Sequence, residues 1–364
     1  MKRKFINNIC LFFLLFICSL FLSCATTVKV KMTRPAQLDL NGAKTVAVLP
    51  FKPYSYYREH NTTIGIGRRI VLNTFYQIFE IKDPDEQLAI DTLRSQIERG
   101  LLDSPYITLV SAESVQQSMR KGTLNPADVY LTGEVSYFSV EDRKYEERKM
   151  VKPANGNQLA EYQIIKYWVR EVEFNFSYQI VDSSTETVIA YNEFRCDRSS
   201  SGYESRYDLP GAYSLIESDI RSAGRRILQE LQPYTIIKSI TLLEVKTKDK
   251  ALKERMKAAD ELAEDSQLAQ ASAEFSKIYE ETGLVEAGYN AAILQEALGN
   301  FSLAEEMMLD LYNSHPDSRV AKGLSDIRYE INQAKRLKKQ IKETEPSEEY
   351  LDSIEESEDL DLDF

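Results

Sequence analysis

The chain has 364 residues, a formal net charge of −12 at pH 7 and only four cysteines. A chain of this length can bury a sizeable core without disulfides or metals. Its acidic balance argues against nucleic-acid binding, which needs basic surfaces. Eleven acidic residues and no lysine or arginine lie between Glu343 and Phe364, so the acidity is concentrated in a tail, residues 343–364, that is predicted to be disordered.

Residues 1–23 are predicted to be a secretory signal. A basic cluster at positions 2–4 precedes an uncharged apolar run from Ile9 to Leu22. The run has the length of a signal-peptide core and is too short to span a bilayer as a helix. It ends in Ser23-Cys24, which resembles the bacterial lipobox. The resemblance implies that Cys24 is lipidated and that residues 24–42 form a lipidated tether.

The remaining cysteines fit this interpretation. Cys10 and Cys18 lie within the signal, so Cys196 would be left alone and no disulfide framework is predicted. Two or three acyl chains on Cys24 would anchor the protein durably, whereas one chain binds a membrane weakly. Ala25 follows the cysteine, and the lipoprotein resemblance then implies an outer-membrane anchor facing the periplasm. The alternative is an ordinary signal with a chance cysteine.

Residues 43–235 are predicted to form an α+β domain, because strand and helix patterns mix there without strict alternation. The segment Ala43–Phe51 has the pattern of a buried strand, and residues 85–103 have helical spacing after Pro84. Further strands are predicted from Ala127 to Asp142 and around residues 168–180, and a closing helix from Ala212 to Leu231. The apolar residues that share one parity in the second of these strands are Trp168, Val172, Phe174, Phe176, Tyr178 and Ile180.

The order of these segments resembles a known family. The stretches that carry the resemblance read KTVAVLPF, then ADVYLTGEVSYF, then FNFSYQIVDSSTETVIAYNEF, followed by the closing helix. They are similar to the CsgG-like lipoproteins, a group that includes the curli secretion channel and outer-membrane lipoproteins that activate peptidoglycan synthases. The resemblance covers residues 43–232 and implies a mixed sheet with flanking helices.

A second, all-helical module is predicted over residues 251–342, where strand patterns stop. Two stretches align with an offset of 33 residues, which is close to the tetratricopeptide period. The matched pairs are Ala259 with Ala292, Leu268 with Phe301, Ala271 with Ala304, Phe275 with Met308, and Tyr279 with Tyr312. The module therefore resembles tetratricopeptide repeats; a generic pair of helical hairpins is the alternative.

No residue pattern indicates catalysis. The two histidines, His60 and His315, stand apart from cysteines and from each other, so neither a metal site nor a cofactor is predicted. The stretch Gly65–Arg69 lacks the spacing of a phosphate-binding loop, and no serine lies in a nucleophile elbow. We therefore do not expect an enzyme.

The sequence favours a membrane-anchored, non-catalytic binding or scaffold protein of envelope assembly. An envelope protein would bind the concave face of the helical repeats, and the chain could also form a homo-oligomer. The residues predicted to contact the partner are Tyr289, Asn290, Ile293 and Glu296. The alternative role for Tyr289 and Ile293 is packing between repeats.

Two other functions are open from the residues. One is an outer-membrane secretion channel of the curli-export type, with membrane strands at 64–81 or within 134–181. Arg68 and the charged stretch EDRKYEERK interrupt those candidates. The other is an enzyme whose site follows no familiar motif.

Overall fold

The computed structural model describes residues 26–54, 83–122, 126–152 and 161–344. These residues form two compact units. The helical unit comprises residues 26–34 and 235–337, and the sheet unit comprises residues 35–234 together with the chain from 338 onward. Cys24, His60, the stretch 64–81 and almost all of the acidic tail lie outside the described residues. None of the helices within the described ranges is both long and apolar enough to cross a membrane.

Seven strands and eight α-helices occur in the described residues. In chain order they are β1 (Thr27–Arg34), β2 (Thr45–Val48), α1 (Pro84–Leu102), β3 (Thr108–Val110), α2 (Ala112–Lys121), β4 (Val129–Lys152), β5 (Glu161–Asp182), β6 (Val188–Ser199), α3 (Ala212–Leu231), β7 (Tyr234–Thr241), α4 (Lys250–Glu264), α5 (Leu268–Thr282), α6 (Val285–Ala297), α7 (Phe301–Ser314) and α8 (Ser318–Thr344).

The sheet unit is built on a five-stranded mixed sheet in the order β3-β2-β4-β5-β6. Strand β2 pairs in parallel with both β3 and β4, whereas β4–β5 and β5–β6 are antiparallel. This confirms the predicted α+β class and the mixed sheet with flanking helices. The short strand β2 lies in the interior of the sheet, between β3 and β4.

Helices cover both faces of β2. Val46 and Val48 pack with α1 and α3 in the larger core, whereas Ala47 and Leu49 pack with Val115 of α2 on the opposite face. Successive residues of a strand point to opposite faces, so one apolar run supplies both cores. The predicted helices at 85–103 and 212–231 are confirmed as α1 and α3.

Local capping fixes the ends of these helices. The carboxylate of Asp83 accepts hydrogen bonds from the backbone N–H groups of Asp85 and Glu86, and Pro84 occupies the first turn of α1. Ser111 caps α2 in the same way, and Gly122 ends that helix with φ of 64°. A side chain at that φ would be strained, so glycine is the suitable residue there.

Strands β4 and β5 continue as a two-stranded arm beyond the part of β5 that pairs with β6. The pairing of β5 with β6 covers Glu171 to Val181, whereas its pairing with β4 extends to Glu161. Opposite charges face each other across the arm, for example Glu146 and Lys166 with 2.8 Å between carboxylate and ammonium. The charged stretch that the sequence places here therefore forms cross-strand ion pairs.

The strongest of these pairs lies at the base of the arm. Asp142 stands directly opposite Arg170, whose guanidinium donates two hydrogen bonds of 2.7 and 2.9 Å to its carboxylate. Arg206 donates a third of 2.8 Å, and Arg170 also reaches the carbonyl oxygen of Pro210. The hydrogen bonds from Arg170, followed by the one from Arg206, lower the pKa of Asp142 to about 2. Arg170, which interrupts the apolar alternation of β5, thus fixes the arm to the loop before α3.

The helical unit consists of consecutive helices that each pack on the next from α4 to α7. Helices α5 and α7 begin 33 residues apart, at Leu268 and Phe301. Six of the ten residues that the repeat aligns are buried in one core: Ala259, Ala271, Phe275, Ala292, Ala304 and Met308. The all-helical nature of this module is therefore confirmed.

One feature of the helical unit differs from the expectation. The stretch interpreted as a tether, residues 24–42, contains strand β1, which pairs with β7 in a two-stranded sheet. Val28 and Ile240 of this ribbon, and Leu242 directly after it, are buried in the same core as the helices. An isolated two-stranded ribbon is marginal in water, so its apolar face requires the helices as a partner. This dependence on a remote segment explains why the alternation in TVKVKMTR is not recognised as a strand.

The Asp142 pair gives a pH-dependent contribution to stability. Its pKa is lower in the folded state than in the unfolded chain, so the stabilisation is present above about pH 4 and is lost as the pH falls toward 2. A shift of this size corresponds to about 2 kcal/mol. We expect Asp142→Asn to lower the free energy of unfolding by about that amount at pH 6. Denaturant titrations should show the difference from wild type vanishing near pH 2.

Asp208→Asn serves as the matched control, because Asp208 is exposed and lies in the same region of the sheet unit. It should leave the stability unchanged at both pH values. An Asp142→Asn effect that is the same at pH 6 and pH 2 would mean that the carboxylate charge is not the cause.

Candidate functional site

Four charged side chains meet inside the helical unit: Arg34, Lys238, Glu296 and Glu330. We call them the ion cluster. Arg34 ends β1, Lys238 lies on β7, Glu296 is on α6 and Glu330 is on α8. Both carboxylates are buried among helices, and charged groups at such positions are rare unless they are paired.

Each charge in the ion cluster has an opposite partner. The guanidinium of Arg34 binds the carboxylate of Glu330 through two nitrogens, one of them at 2.7 Å. The ammonium of Lys238 is shared, because it lies 2.8 Å from Oε1 of Glu330 and also donates to Oε1 of Glu296. The cluster therefore connects the strand ribbon to two helices by charge-assisted hydrogen bonds.

The ionisation of these groups follows from burial and pairing. Burial raises the pKa of Glu296, and the hydrogen bond from Lys238 only partly offsets this. Burial also acts on Glu330, but its bonds to Arg34 and Lys238 outweigh that effect and keep its pKa below the ordinary value. Burial opposes the charge of Lys238 as well, yet its two carboxylate partners raise its pKa. Glu296 is thus the less well compensated of the two acids.

The second carboxylate oxygen of Glu296 distinguishes it further. Among the residues that the structure describes, no hydrogen-bond donor reaches Oε2 of Glu296, although this oxygen is buried. Leaving a buried acceptor unpaired costs about 1–3 kcal/mol, and more when the group is charged. Such exceptions in a folded protein call for a reason.

Glu296 also lines a cleft of about 290 Å³ in the helical unit. Arg34 and Glu330 line it with Glu296, and Lys31 and Gln333 add further polar groups. The rest of the wall is mainly apolar, contributed by Met32, Ala297, Leu298, Phe301, Ala334 and Leu337. The arrangement is a small apolar cleft with a few convergent charges, which is the usual composition of a binding site.

Asn290 contacts the chain itself. Its side-chain oxygen accepts a hydrogen bond of 2.7 Å from the backbone N–H of Leu243, and its amide nitrogen donates one of 3.0 Å to the carbonyl oxygen of the same residue. Asn290 is fully buried. Asn290, which was predicted to contact a partner, therefore binds the backbone of Leu243, in the segment that follows β7.

The other two predicted residues lie in the packing of the helices. Ile293 is a buried core residue, and Tyr289 packs at the edge of the same core, with its ring 2.7 Å from the position that a β-carbon on Gly323 would occupy. Of the four residues predicted to bind a partner, Glu296 is the one that lines the cleft.

Sequence reasoning missed Arg34, Lys238 and Glu330. A signal was present, because Lys238 stands between isoleucines in TIIKSIT, and Glu330 follows Ile327 and precedes Ile331 on the apolar stripe of α8. A charge on an apolar face marks a buried partner, but the pattern does not say which residue that partner is. Arg34 and Glu330 are 296 positions apart.

Other reactive groups lie apart from the cleft. Burial, reinforced by a hydrogen bond to Asp219, raises the pKa of the Cys196 thiol to about 12, so this thiol stays protonated at neutral pH. His315 follows α7, and its ring meets the ring of Tyr279 edge-on at 6.5 Å between centroids. Within the described ranges, no three histidine, cysteine or acidic residues are grouped as metal ligands.

The shared ammonium gives a test of the ion cluster. Lys238→Met should destabilise the helical unit by about 3–5 kcal/mol, because it leaves Glu296 buried without its cation. Glu296→Gln should also destabilise the helical unit. The loss of unfolding free energy in the double variant should, however, be clearly smaller than the sum of the losses in the two single variants. Denaturant unfolding of the four proteins measures the coupling.

The exposed pair Lys257 and Glu261 on α4 provides the control cycle. Its coupling should be at most about 0.5 kcal/mol, since exposed helix pairs gain little. Strictly additive losses at Lys238 and Glu296 would show that the two groups do not depend on one another.

No family model matches the chain, and no curated protein matches it. Solved structures match about half of it. A PelC dodecamer from Paraburkholderia phytofirmans is 14% identical, with 57% of this chain and 98% of that chain covered and a TM-score of 0.24. The lipoprotein GNA1162 from Neisseria meningitidis is 9% identical, with 50% and 97% covered and a TM-score of 0.24. A neuraminyllactose-binding hemagglutinin homolog from Helicobacter pylori is 10% identical, with 52% and 83% covered and a TM-score of 0.27. These similarities do not assign the chain to a family.

Proposed function

We propose that this chain is a lipid-anchored envelope protein that acts as a non-catalytic binding or scaffold protein, with the helical unit recruiting a protein partner. The observation that carries the proposal is the cleft beside the ion cluster. It combines an apolar wall with buried charges, and one of those charges has an unpaired oxygen. Such a surface can bind a group of matching shape and polarity without changing it chemically.

The residues of the cleft support binding rather than catalysis. The arginine and the two glutamates that line it are paired within the ion cluster, with Lys238 as the second cation, which suits a structural or recognition role. None of the described residues that line the cleft is a histidine, cysteine or serine.

The finer identity of the two units belongs to the same proposal. The sheet unit would be a CsgG-like domain, since the family-like stretches fall on β2, β4, β5, β6 and α3 of the mixed sheet. The helical unit would be a tetratricopeptide-like module, because most of its aligned positions share one core. Lipid on Cys24 would tie both to the outer membrane, on its periplasmic side.

The anchor can be tested directly. Cys24→Ala should abolish incorporation of radiolabelled palmitate and leave the full-length precursor, because the lipobox resemblance makes Cys24 both the acylated residue and the first residue after cleavage. Cys196→Ala is the matched control and should keep both the label and normal maturation, since Cys196 is a buried thiol of the sheet unit. Persistent labelling of the Cys24→Ala protein would refute the anchor.

Partner recruitment can be tested in intact cells with a photo-reactive phenylalanine analogue in the full chain. Placed at Leu298, which lines the cleft, it should give a discrete cross-linked adduct. Placed at Leu309 on α7, outside the lining, it should not. The two leucines are 39% and 37% exposed, so they differ in location rather than in accessibility. Equal adducts at both positions, or none at Leu298, would contradict recruitment through the cleft.

A further inference from the structure

We propose that the outward face of the β1–β7 ribbon lies against the membrane surface and binds anionic lipid headgroups through Lys29 and Lys31. This inference rests on the proposed lipid anchor, because acyl chains on Cys24 would place the start of the ribbon at the membrane. Three features of the chain support it: the short link between Cys24 and the ribbon, the side chains that the ribbon exposes, and their charge.

The link between the anchor and the folded chain is very short. Only Ala25 lies between Cys24 and Thr26. Thr26 is held by the helical unit, since its carbonyl oxygen accepts a hydrogen bond of 2.9 Å from the backbone N–H of Leu242. Consecutive α-carbons are about 3.8 Å apart, so the α-carbon of Cys24 can lie at most about 8 Å from that of Thr26. Lipid on Cys24 would therefore hold the beginning of β1 at the headgroups.

Alternation along the two strands separates a buried face of the ribbon from an outward face. Val28 and Ile240 belong to the buried face, which packs on the helices. The residues of the opposite parity are exposed on both strands: Thr27, Lys29, Lys31, Thr33, Thr235, Ile237, Ser239 and Thr241. We call this set the ribbon face. It presents two ammonium groups among hydroxyl groups, and none of its residues is acidic.

The composition of the ribbon face suits the headgroup region of an anionic bilayer. Ammonium groups bind phosphate oxygens in charge-assisted hydrogen bonds, and each lysine near such a surface strengthens binding about fivefold. The side chain of Ile237 is 65% exposed and offers apolar contact to the same layer. The attraction extends over a Debye length of about 8 Å at physiological ionic strength, which the short link does not exceed. Lipid, unlike a protein partner, is present at this distance whenever the anchor is in place.

The carboxylate that lies close to the start of the ribbon is on its other side. Glu264 of α4 accepts a hydrogen bond of 3.3 Å from the hydroxyl of Thr26. Thr26 has the parity of Val28, whose side chain packs on the helices. Within the described ranges, no carboxylate forms an ion pair with Lys29 or Lys31. Both ammonium groups can therefore bind lipid phosphates.

The test uses the full lipidated chain, reconstituted into vesicles of phosphatidylcholine and phosphatidylglycerol that contain a lipid with a nitroxide at its headgroup. A thiol-reactive fluorophore is attached at Ser239→Cys on the ribbon face or at Ala273→Cys, an exposed position of α5. The native thiol of Cys196 is buried and is not labelled. We expect the nitroxide to quench the label at position 239 clearly more strongly than the label at position 273.

Charge reversal tests the contribution of the lysines. Lys29→Glu combined with Lys31→Glu should lower the quenching at position 239 to the level at position 273. Lys253→Glu combined with Lys277→Glu changes the net charge equally at exposed helix positions and should leave the quenching intact. Pure phosphatidylcholine vesicles, or high salt, should act like the first pair, because both remove the electrostatic attraction. All four lysines are exposed, so these variants are expected to fold.

Three results would overturn the inference. The first is equal quenching at positions 239 and 273. The second is quenching at position 239 that survives reversal of Lys29 and Lys31, or that is the same without phosphatidylglycerol. The third is an unquenched label at position 239 together with a protein adduct in intact cells from a photo-reactive phenylalanine analogue at Ile237, which would show that a protein covers the ribbon face.

Flotation of the same vesicles separates this inference from the anchor. Protein that floats with the vesicles but shows no quenching at position 239 would leave the anchor standing and refute the headgroup contact. Wild-type protein that is not recovered with the vesicles would refute the anchor, and this inference with it. Recruitment of a partner through the cleft is measured separately, by the cross-link at Leu298.

Discussion

Burial of the ion cluster is the constraint on which the helical unit depends. Two cations and two carboxylates are removed from water there, at a cost of several kcal/mol for each ion. Bidentate pairing of Arg34 with Glu330 and the shared ammonium of Lys238 offset that cost only in this geometry. The ribbon and the helices therefore need each other, since the ribbon supplies both cations and the helices supply both acids. Removing either partner would leave charge stranded in the core.

This packing limits which surfaces of the helical unit a partner could contact. The helices hold their own chain at Leu243 through Asn290, and they bury Val28 and Ile240 of the ribbon and Leu242 directly after it. A surface that stacked helices could offer to a foreign peptide is thus covered from within the unit. Charged and apolar side chains together line the cleft beside Glu296.

The sequence predicted those parts of the fold whose signals are local. Helices α1 and α3, the buried strand β2 and the all-helical module follow from spacing within one segment, because the partner of each apolar face can be any core. Strand β1 and the ion cluster were not predictable in this way. Their partners are remote in the sequence, with Arg34 and Glu330 296 positions apart, and a pattern of exposed and buried residues shows that a partner exists without identifying it. For the same reason Asn290 could be recognised as a polar contact residue but not as a clamp on its own chain.

The two units differ in how completely they pair a buried carboxylate. At the base of the arm, Asp142 receives three hydrogen bonds from two arginines, so both of its oxygens are paired and its pKa lies far below the ordinary value. In the ion cluster, Glu296 receives one donor, its second oxygen has none among the described residues, and its pKa lies above the ordinary value. A carboxylate that served only structure would gain stability from either full pairing or replacement by an apolar residue. Glu296 has neither, so its incomplete pairing costs the helical unit stability, whereas the full pairing of Asp142 stabilises the sheet unit.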